Sequence, residues 1–119
     1  MLNERAKNDL KLVLEHINEV DNYFEDIEAP EDFVADKQGH AFFDAILMHL
    51  QVICELVKRN YTEHKEVFII HNEIPWREII RMRDLISHHY DKLQHDIVFD
   101  ICKNSLPDLS KCLHKIIEE

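Results

Sequence analysis

The chain has 119 residues, of which 45% are hydrophobic, and it carries a formal net charge of −10 at pH 7. That length is enough for one domain with its own core, so we expect a single domain over residues 1–119. One glycine and three prolines are too few for the many tight turns of a β-rich fold. The composition therefore favours long helices.

The first residues are charged and lead into no continuous apolar run, so we expect neither a signal peptide nor a membrane span. The three cysteines, Cys54, Cys102 and Cys112, form an odd set without C-x-x-C spacing. This pattern favours reduced structural thiols in a cytoplasmic protein over disulfides or a thiol–zinc site.

The negative charge is concentrated in residues 1–36, which hold eleven acids against three bases. A net negative charge argues against nucleic acid as a partner, because phosphate binding depends on Lys and Arg. Residues 77–95, however, hold four bases, three acids and three histidines. The acidic segment is interpreted as a solvated helix face, and residues 77–95 are the one basic neighbourhood.

Apolar residues spaced alternately by three and four predict a first amphipathic helix of about seven turns, which ends before Pro30. They are Leu10, Val13, Ile17, Val20, Phe24 and Ile27. Asp32 is expected to cap a short helical turn at 33–35.

Two adjoining apolar stripes predict a second helix over residues 39–60. So wide an apolar arc must be covered on more than one side, so we expect a central helix that also builds a homodimer interface. A shorter, less regular stretch follows from Tyr61 to Glu73.

Pro75 opens a predicted third helix, in the first turn where proline is tolerated. The run from His88 to Tyr90 ends it. A fourth helix is predicted over residues 96–104, and Ser105 is expected to cap a fifth. The predicted fold class is an all-α bundle of about five helices.

Nine histidines raise the question of a metal site. A di-metal bundle requires Glu-x-x-His pairs on facing helices, and the sequence has none. His49 lies on an apolar stripe and is interpreted as a core residue. The pairs His40/Asp44 and Asp84/His88 could each present two ligands on one helix face, but neither has a matching pair on another long helix. The remaining histidines outside residues 77–95 are interpreted as surface positions, so we predict no metal; they are His16, His64, His71 and His114.

Residues 83–90 combine an arginine, a histidine and a tyrosine: Arg83, His88 and Tyr90. Arg83 and Tyr90 share one helix face, being about 20° apart, whereas His88 lies about 140° from Arg83. In one chain, Arg83 and His88 therefore do not both point at one phosphate. In a symmetric dimer, two copies of this helix end that meet at the two-fold axis could place them at the same phosphate.

RNA hydrolysis without metal needs a base for the 2′-hydroxyl, an acid for the leaving oxygen and a cation. Two copies of Arg83 and His88 would supply them, with Asp84 orienting His88 from four residues away. The spacing is equally compatible with surface charges at Arg83 and Asp84 on a helix that merely ends at His88.

The segment Ile-Pro-Trp-Arg-Glu-Ile-Ile-Arg-Met-Arg-Asp-Leu-Ile-Ser-His-His-Tyr, which starts at Ile74, resembles the signature region of the HepT-like toxins. These toxins belong to the HEPN ribonuclease superfamily, whose mark is R-x4-H, here extended to R-x4-H-x-Y. Further similarity lies in Phe-Val-Ala-Asp-Lys and Ile-Cys-Glu-Leu-Val-Lys upstream, and in Asp-Ile-Val-Phe-Asp-Ile and Leu-Pro-Asp-Leu downstream. The resemblance thus spans nearly the whole chain.

The resemblance implies a homodimeric, HEPN-type antiparallel bundle that acts as a metal-independent endoribonuclease without a cofactor. It implies Arg83 and His88 as catalytic residues of a composite site, and RNA as substrate. It also implies a minimal nucleotidyltransferase as antitoxin, able to adenylylate Tyr90. Two positions depart from the family pattern. Asp84 stands where Asn is common, and His89 stands where a small residue is common.

Three other interpretations remain open at this point. The chain could be a catalytically weak HEPN dimer that serves as partner of a nucleotidyltransferase, which the overall acidity and Asp84 favour. It could be a metal-binding bundle, or a helical scaffold with no site.

Overall fold

The computed structural model describes residues 2–89 and 94–119, and every regular element in that part of the chain is helical. The predicted all-α class is confirmed. The elements are α1 (Glu4–Phe24), α2 (Asp32–Ala35), α3 (Lys37–Glu63), α4 (Lys65–Phe68), α5 (Trp76–His89), α6 (His95–Asp100) and α7 (Leu106–Glu118), with a π-helical segment, Ile101–Ser105, between the last two.

Helix α3 is the central helix, as its two apolar stripes predict. It packs along α1 on one side and along α5 on another, and it also contacts α2 and α4. Both stripes contribute to the core, because an apolar arc this wide has to be covered by several neighbours. Its fully buried apolar side chains are Ile46, Leu47, Leu50, Ile53, Cys54 and Val57.

By length and mean hydropathy, α3 is also apolar enough to cross a membrane. In its most apolar stretch, 33% of the residues are buried inside the protein. One such helix is weak evidence for a span, because the core helix of a packed bundle has the same composition.

The first helix ends earlier than the apolar spacing predicts. Helix α1 stops at Phe24, and the amide of Ile27 bonds to the Phe24 carbonyl in a tight turn. Ile27 is nevertheless 7% exposed, so its burial continues the pattern although the helix does not. Asp32 does not cap its own helix. It accepts hydrogen bonds from the amides of Glu28 and Ala29, and so closes the turn before α2.

The one glycine of the chain lies where α2 and α3 approach each other. The amide of Gly39 donates to the Asp36 side chain, which caps α3. A Cβ atom at Gly39 would collide with the carbonyl oxygen of Asp32. Glycine is therefore required here by backbone contact.

The predicted cap at Ser105 is wrong. Ser105 is itself helical and makes no side-chain cap, so α6, the π-helical segment and α7 follow one another without a break. Pro107 explains the local change of geometry. A proline inside a helix lacks the N–H that its i−4 carbonyl needs, and a π turn accommodates that loss without ending the helix.

The three cysteines are free and buried. Burial raises the pKa of Cys54 and of Cys102 to about 12. These two thiols are therefore protonated and unreactive near neutral pH.

A polar cluster joins α1 to α3 beside this core. Arg59 donates to Asp9 Oδ2 through Nε and Nη2, at 3.1 and 2.6 Å, and Asn60 donates to the same oxygen at 3.1 Å. Burial alone would raise the pKa of Asp9, but the hydrogen bonds and positive charge of Arg59 and the amide of Asn60 outweigh it. The net pKa lies below its ordinary value.

We expect Asp9→Ala to lower the free energy of unfolding by about 1–3 kcal/mol, because Asn60 then keeps a buried amide with one partner fewer. Urea denaturation would measure the loss. Glu15→Ala, an exposed acid on the same helix, is the matched control and should change stability by less than about 0.5 kcal/mol. Equal losses in the two variants would contradict a special role for Asp9.

The Asp9–Arg59–Asn60 cluster also makes the free energy of unfolding depend on pH in the acidic range. Because folding lowers the pKa of Asp9 from its ordinary 3.8, the stabilisation is present in full above that pH. It is lost as the pH falls through the lower folded-state value. Asp9→Asn should therefore show a shallower fall of stability with acid than the parent protein.

Candidate active site

Aromatic packing holds the start of helix α5 in place. This helix carries the predicted motif. Trp76 is 5% exposed and meets Phe68 edge to face, with ring centroids 5.0 Å apart. Its indole N–H donates to the carbonyl of His71. Further along, Ile86 is buried against α3, and Gln51 donates to the Ser87 hydroxyl. The position of α5 relative to α3 is thus set at both ends.

Arg83 is held between two carboxylates. Its Nε donates to Glu55 of α3 at 3.3 Å, and Nη1 donates to Asp84 at 3.2 Å. The hydrogen bonds to Asp84 and Glu55 raise the pKa of Arg83 further above its ordinary value. The side chain remains 34% exposed, so the guanidinium is oriented but open to solvent.

The surroundings of Arg83 include residues that the motif does not contain. Arg83 lines a shallow depression between α3 and α5, together with Lys58, Arg59 and two glutamates of α3. Glu55 and Lys58 lie on the outer face of α3, and no local pattern links them to a motif 25 residues later. Only the packing of α5 on α3 brings them together.

His88 faces a different depression. This one is lined by Glu78, Arg81, Asp84, Leu85 and His88 itself, all from α5. Asp84 and His88 therefore share a face, as their spacing predicts, while Asp84 also pairs with Arg83. The side chain of His88 is exposed.

Within the described part of the chain, Arg83 and His88 line two different depressions. This agrees with the angle of about 140° that a regular helix imposes between them. Tyr90 lies outside the described residues, as does the side chain of His89, so the proposed modification site and the second departure from the family pattern stay predictions.

Three of the histidines that the sequence places at the surface are partly buried instead. His16 shares a 2.9 Å hydrogen bond with His49, while His64 and His71 are only partly exposed. Within residues 2–89 and 94–119, one group of three side chains lies close enough to hold a metal ion: His71, Glu73 and Cys112. It includes none of Arg83, Asp84 and His88.

Comparison with known proteins agrees with the motif. The family described as "Ribonuclease HepT-like" matches residues 13–116. A "Gamma-glutamylcyclotransferase and putative RNase" of Methanocaldococcus jannaschii is 30% identical over 95% of the chain, which spans 50% of that relative's length. A "Putative RNase" of the same organism is 30% identical over 90% of the chain and 83% of its own length.

A "Probable ribonuclease HepT" of Thermococcus cleftensis is 33% identical over 72% of the chain and 73% of its own length. No solved structure matches the chain. The family match covers most of the helical bundle, including α3, α5 and the motif at Arg83 and His88. On this evidence the chain belongs to the HepT-like ribonuclease family.

Proposed function

We propose that this chain is a metal-independent endoribonuclease, the toxin of a module whose antitoxin is a minimal nucleotidyltransferase. Arg83 and His88 of two protomers form its composite active site. The observation that supports this most directly is the separation of the two side chains. An oriented guanidinium and an exposed imidazole open onto different, diverging faces of one helix, in a member of a ribonuclease family.

The chemistry needs only these two residue types. One His88 imidazole takes the proton of an RNA 2′-hydroxyl, and that oxygen attacks the adjacent phosphorus. The protonated His88 of the other protomer gives its proton to the 5′-oxygen as the P–O bond breaks. The products are a 2′,3′-cyclic phosphate and a 5′-hydroxyl. The Arg83 guanidinium stabilises the charge that develops on the non-bridging oxygens.

Leu85 supports a protomer contact at this place. It is 47% exposed, yet it is a large apolar side chain that shares a depression with His88. A second copy that covers Leu85 would bring two His88 side chains towards the same axis, and it would exclude water from the reacting groups.

Asp84 is expected to lower the rate of RNA cleavage. Its carboxylate pairs with Arg83, so an RNA phosphate has to compete with it for the guanidinium. Its negative charge also faces the depression that contains His88. Paired with Arg83, however, it repels phosphate less than a free carboxylate would.

Tyr90 is the proposed target of the antitoxin. Transfer of an adenylyl group to its phenol oxygen would add bulk and negative charge close to a site that must receive phosphate, so it would inhibit cleavage. The proposed setting is the cytoplasm, where RNA and antitoxin are both available.

A second candidate function follows from the Arg83–Asp84 pair. If this pair does not open, the dimer is a binding partner of the transferase with little nuclease activity. A purified dimer that binds the transferase but leaves RNA intact over long incubation would select this alternative.

Replacing either catalytic residue by alanine should lower RNA cleavage by about 100-fold or more, because each removes an acid–base group or a charge stabiliser. Cleavage of labelled RNA with and without chelator is the measurement. Cleavage should persist in chelator. Activity that vanishes with chelator while circular dichroism shows the fold unchanged, or that survives in both Arg83→Ala and His88→Ala, would contradict the proposal.

Mixed dimers test whether the site is composite. A heterodimer of the parent chain with His88→Ala, isolated through two different tags, has a single His88 and so lacks either the base or the acid of the composite site. It should lose cleavage as fully as the His88→Ala homodimer. If each protomer had a complete site of its own, the heterodimer would keep the activity of its one intact protomer.

Asp84→Asn should increase cleavage several-fold, because it removes the charge that competes for Arg83 and keeps the side chain's size. Initial rates at low salt give the comparison. Asp26→Asn, which neutralises an exposed acid in the turn after α1, is the control for net charge. A rate that falls in Asp84→Asn would mean that the carboxylate assists catalysis, for example by orienting His88.

Leu85→Glu should convert the dimer into a monomer and abolish cleavage at the same concentration, since it buries a charge at the proposed contact. Sedimentation analysis and the cleavage assay report the two effects. Ile70→Glu changes another exposed apolar residue, 68% exposed, and should alter neither. A monomeric Leu85→Glu protein that still cuts RNA would rule out the composite site.

A further inference from the structure

Three side chains with metal-binding atoms meet where the segment between α4 and α5 approaches α7. One imidazole nitrogen of His71, one carboxylate oxygen of Glu73 and the sulfur of Cys112 all lie within 4.8 Å of one another. Nitrogen, oxygen and sulfur ligands of these types are the set that zinc uses in proteins. This group is separate from the Arg83–His88 motif and has no part in the chemistry proposed above.

The histidine of this group is fixed before any metal arrives. The amide of His71 bonds to the Phe68 carbonyl, and the His71 carbonyl accepts from the Ile74 amide and from the Trp76 indole. Cys112 belongs to the core and is 2% exposed. Two of the three ligands therefore sit on rigid positions, which lowers the entropic cost of binding.

The two ring nitrogens of His71 face different carboxylates. Nε2 lies 3.4 Å from Glu119 Oε1, and Nδ1 lies 3.8 Å from Glu73 Oε2. An Nε2–H that donates to Glu119 leaves the Nδ1 lone pair directed towards Glu73. A carboxylate that orients a histidine in this way is the usual second partner of a zinc-binding imidazole.

Charge around Cys112 also favours a cation. The carboxylates of Glu73 and Glu119 lie close enough to Cys112 to act on its sulfur, and Lys115 acts in the opposite sense. A bound cation would compensate the two carboxylates and replace the thiol proton, which would pass to solvent.

We infer that His71, Glu73 and Cys112 form a binding site for a divalent transition metal, with zinc as the best-matched ion. A thiolate and an imidazole favour zinc over magnesium or calcium, which prefer oxygen ligands. At zinc bond lengths of about 2.0–2.3 Å the ligand atoms would lie roughly 3.5 Å apart. The three ligand atoms lie within 4.8 Å of one another, and the side chain of Glu73, which is 54% exposed, can adjust towards the other two. Water takes the fourth position.

Such an ion would tie the start of α5 to α7. The same region contains a cavity lined by residues of α3, α5, α6 and α7, and Glu73 is among the lining residues. None of the three ligands is among the motif residues Arg83, His88 and Tyr90.

Metal binding can be measured on the chain directly, without an activity assay. Reduced, metal-stripped protein is titrated with Co²⁺, and zinc affinity is obtained by competition with a chromophoric chelator. We expect one ion per chain and a cobalt spectrum with a thiolate charge-transfer band. His71→Gln should weaken zinc binding by about 100-fold or more. That loss is larger than the one expected for a residue that only hydrogen-bonds to a metal ligand. Cys112→Ser should abolish the thiolate band.

Matched controls keep the result interpretable. Cys54→Ser removes another buried thiol, and His114→Gln removes an exposed imidazole on α7 itself; both should bind zinc as the parent does. If Cys112→Ser fails to fold by circular dichroism, His71→Gln still decides the question. Absence of zinc binding, a cobalt spectrum without a thiolate band, or parent-like affinity in His71→Gln would overturn the inference.

Discussion

Helix α3 carries two adjoining rows of apolar side chains, and both must be covered because exposing either would cost the hydrophobic stabilisation of several buried residues. Helix α1 covers one side and α5 another. The position of the proposed site follows from that arrangement. The position of α5 on α3 brings Arg83 to Glu55, and the Asp9–Arg59–Asn60 cluster ties α1 to the same helix. Gly39 lets α3 begin directly against the carbonyl of Asp32.

The electrostatics of the motif reflect a compromise. A guanidinium with two carboxylate partners is well oriented, but its charge is already compensated before a phosphate approaches. Orientation favours catalysis because the groups need not reorganise during the reaction. In the proposed mechanism, compensation opposes catalysis because an RNA phosphate must displace Asp84 from Arg83.

The segment between α4 and α5 has two structural tasks. It delivers the carbonyl of His71 to the Trp76 indole, which roots α5, and it directs the His71 imidazole towards Glu73 and Glu119. Both tasks rest on His71, whose carbonyl oxygen serves the first and whose imidazole serves the second. The side chain of His71 is 15% exposed, so packing limits its freedom. The same contacts that position α5 therefore preorganise the proposed metal site.

The amino-acid sequence was sufficient for the all-α class, the central place of α3 and the motif at Arg83 and His88, because helix periodicity and a contiguous motif are local properties. It also predicted that Arg83 and His88 diverge, since the angle between two positions on one helix depends only on their spacing. The end of α1, the continuous helix through Ser105, the Glu55–Arg83–Asp84 pairing and the approach of Cys112 to His71 were decided by tertiary structure. Each depends on contacts between residues far apart in the chain or on competition among backbone hydrogen bonds, and neither leaves a periodic trace in the sequence.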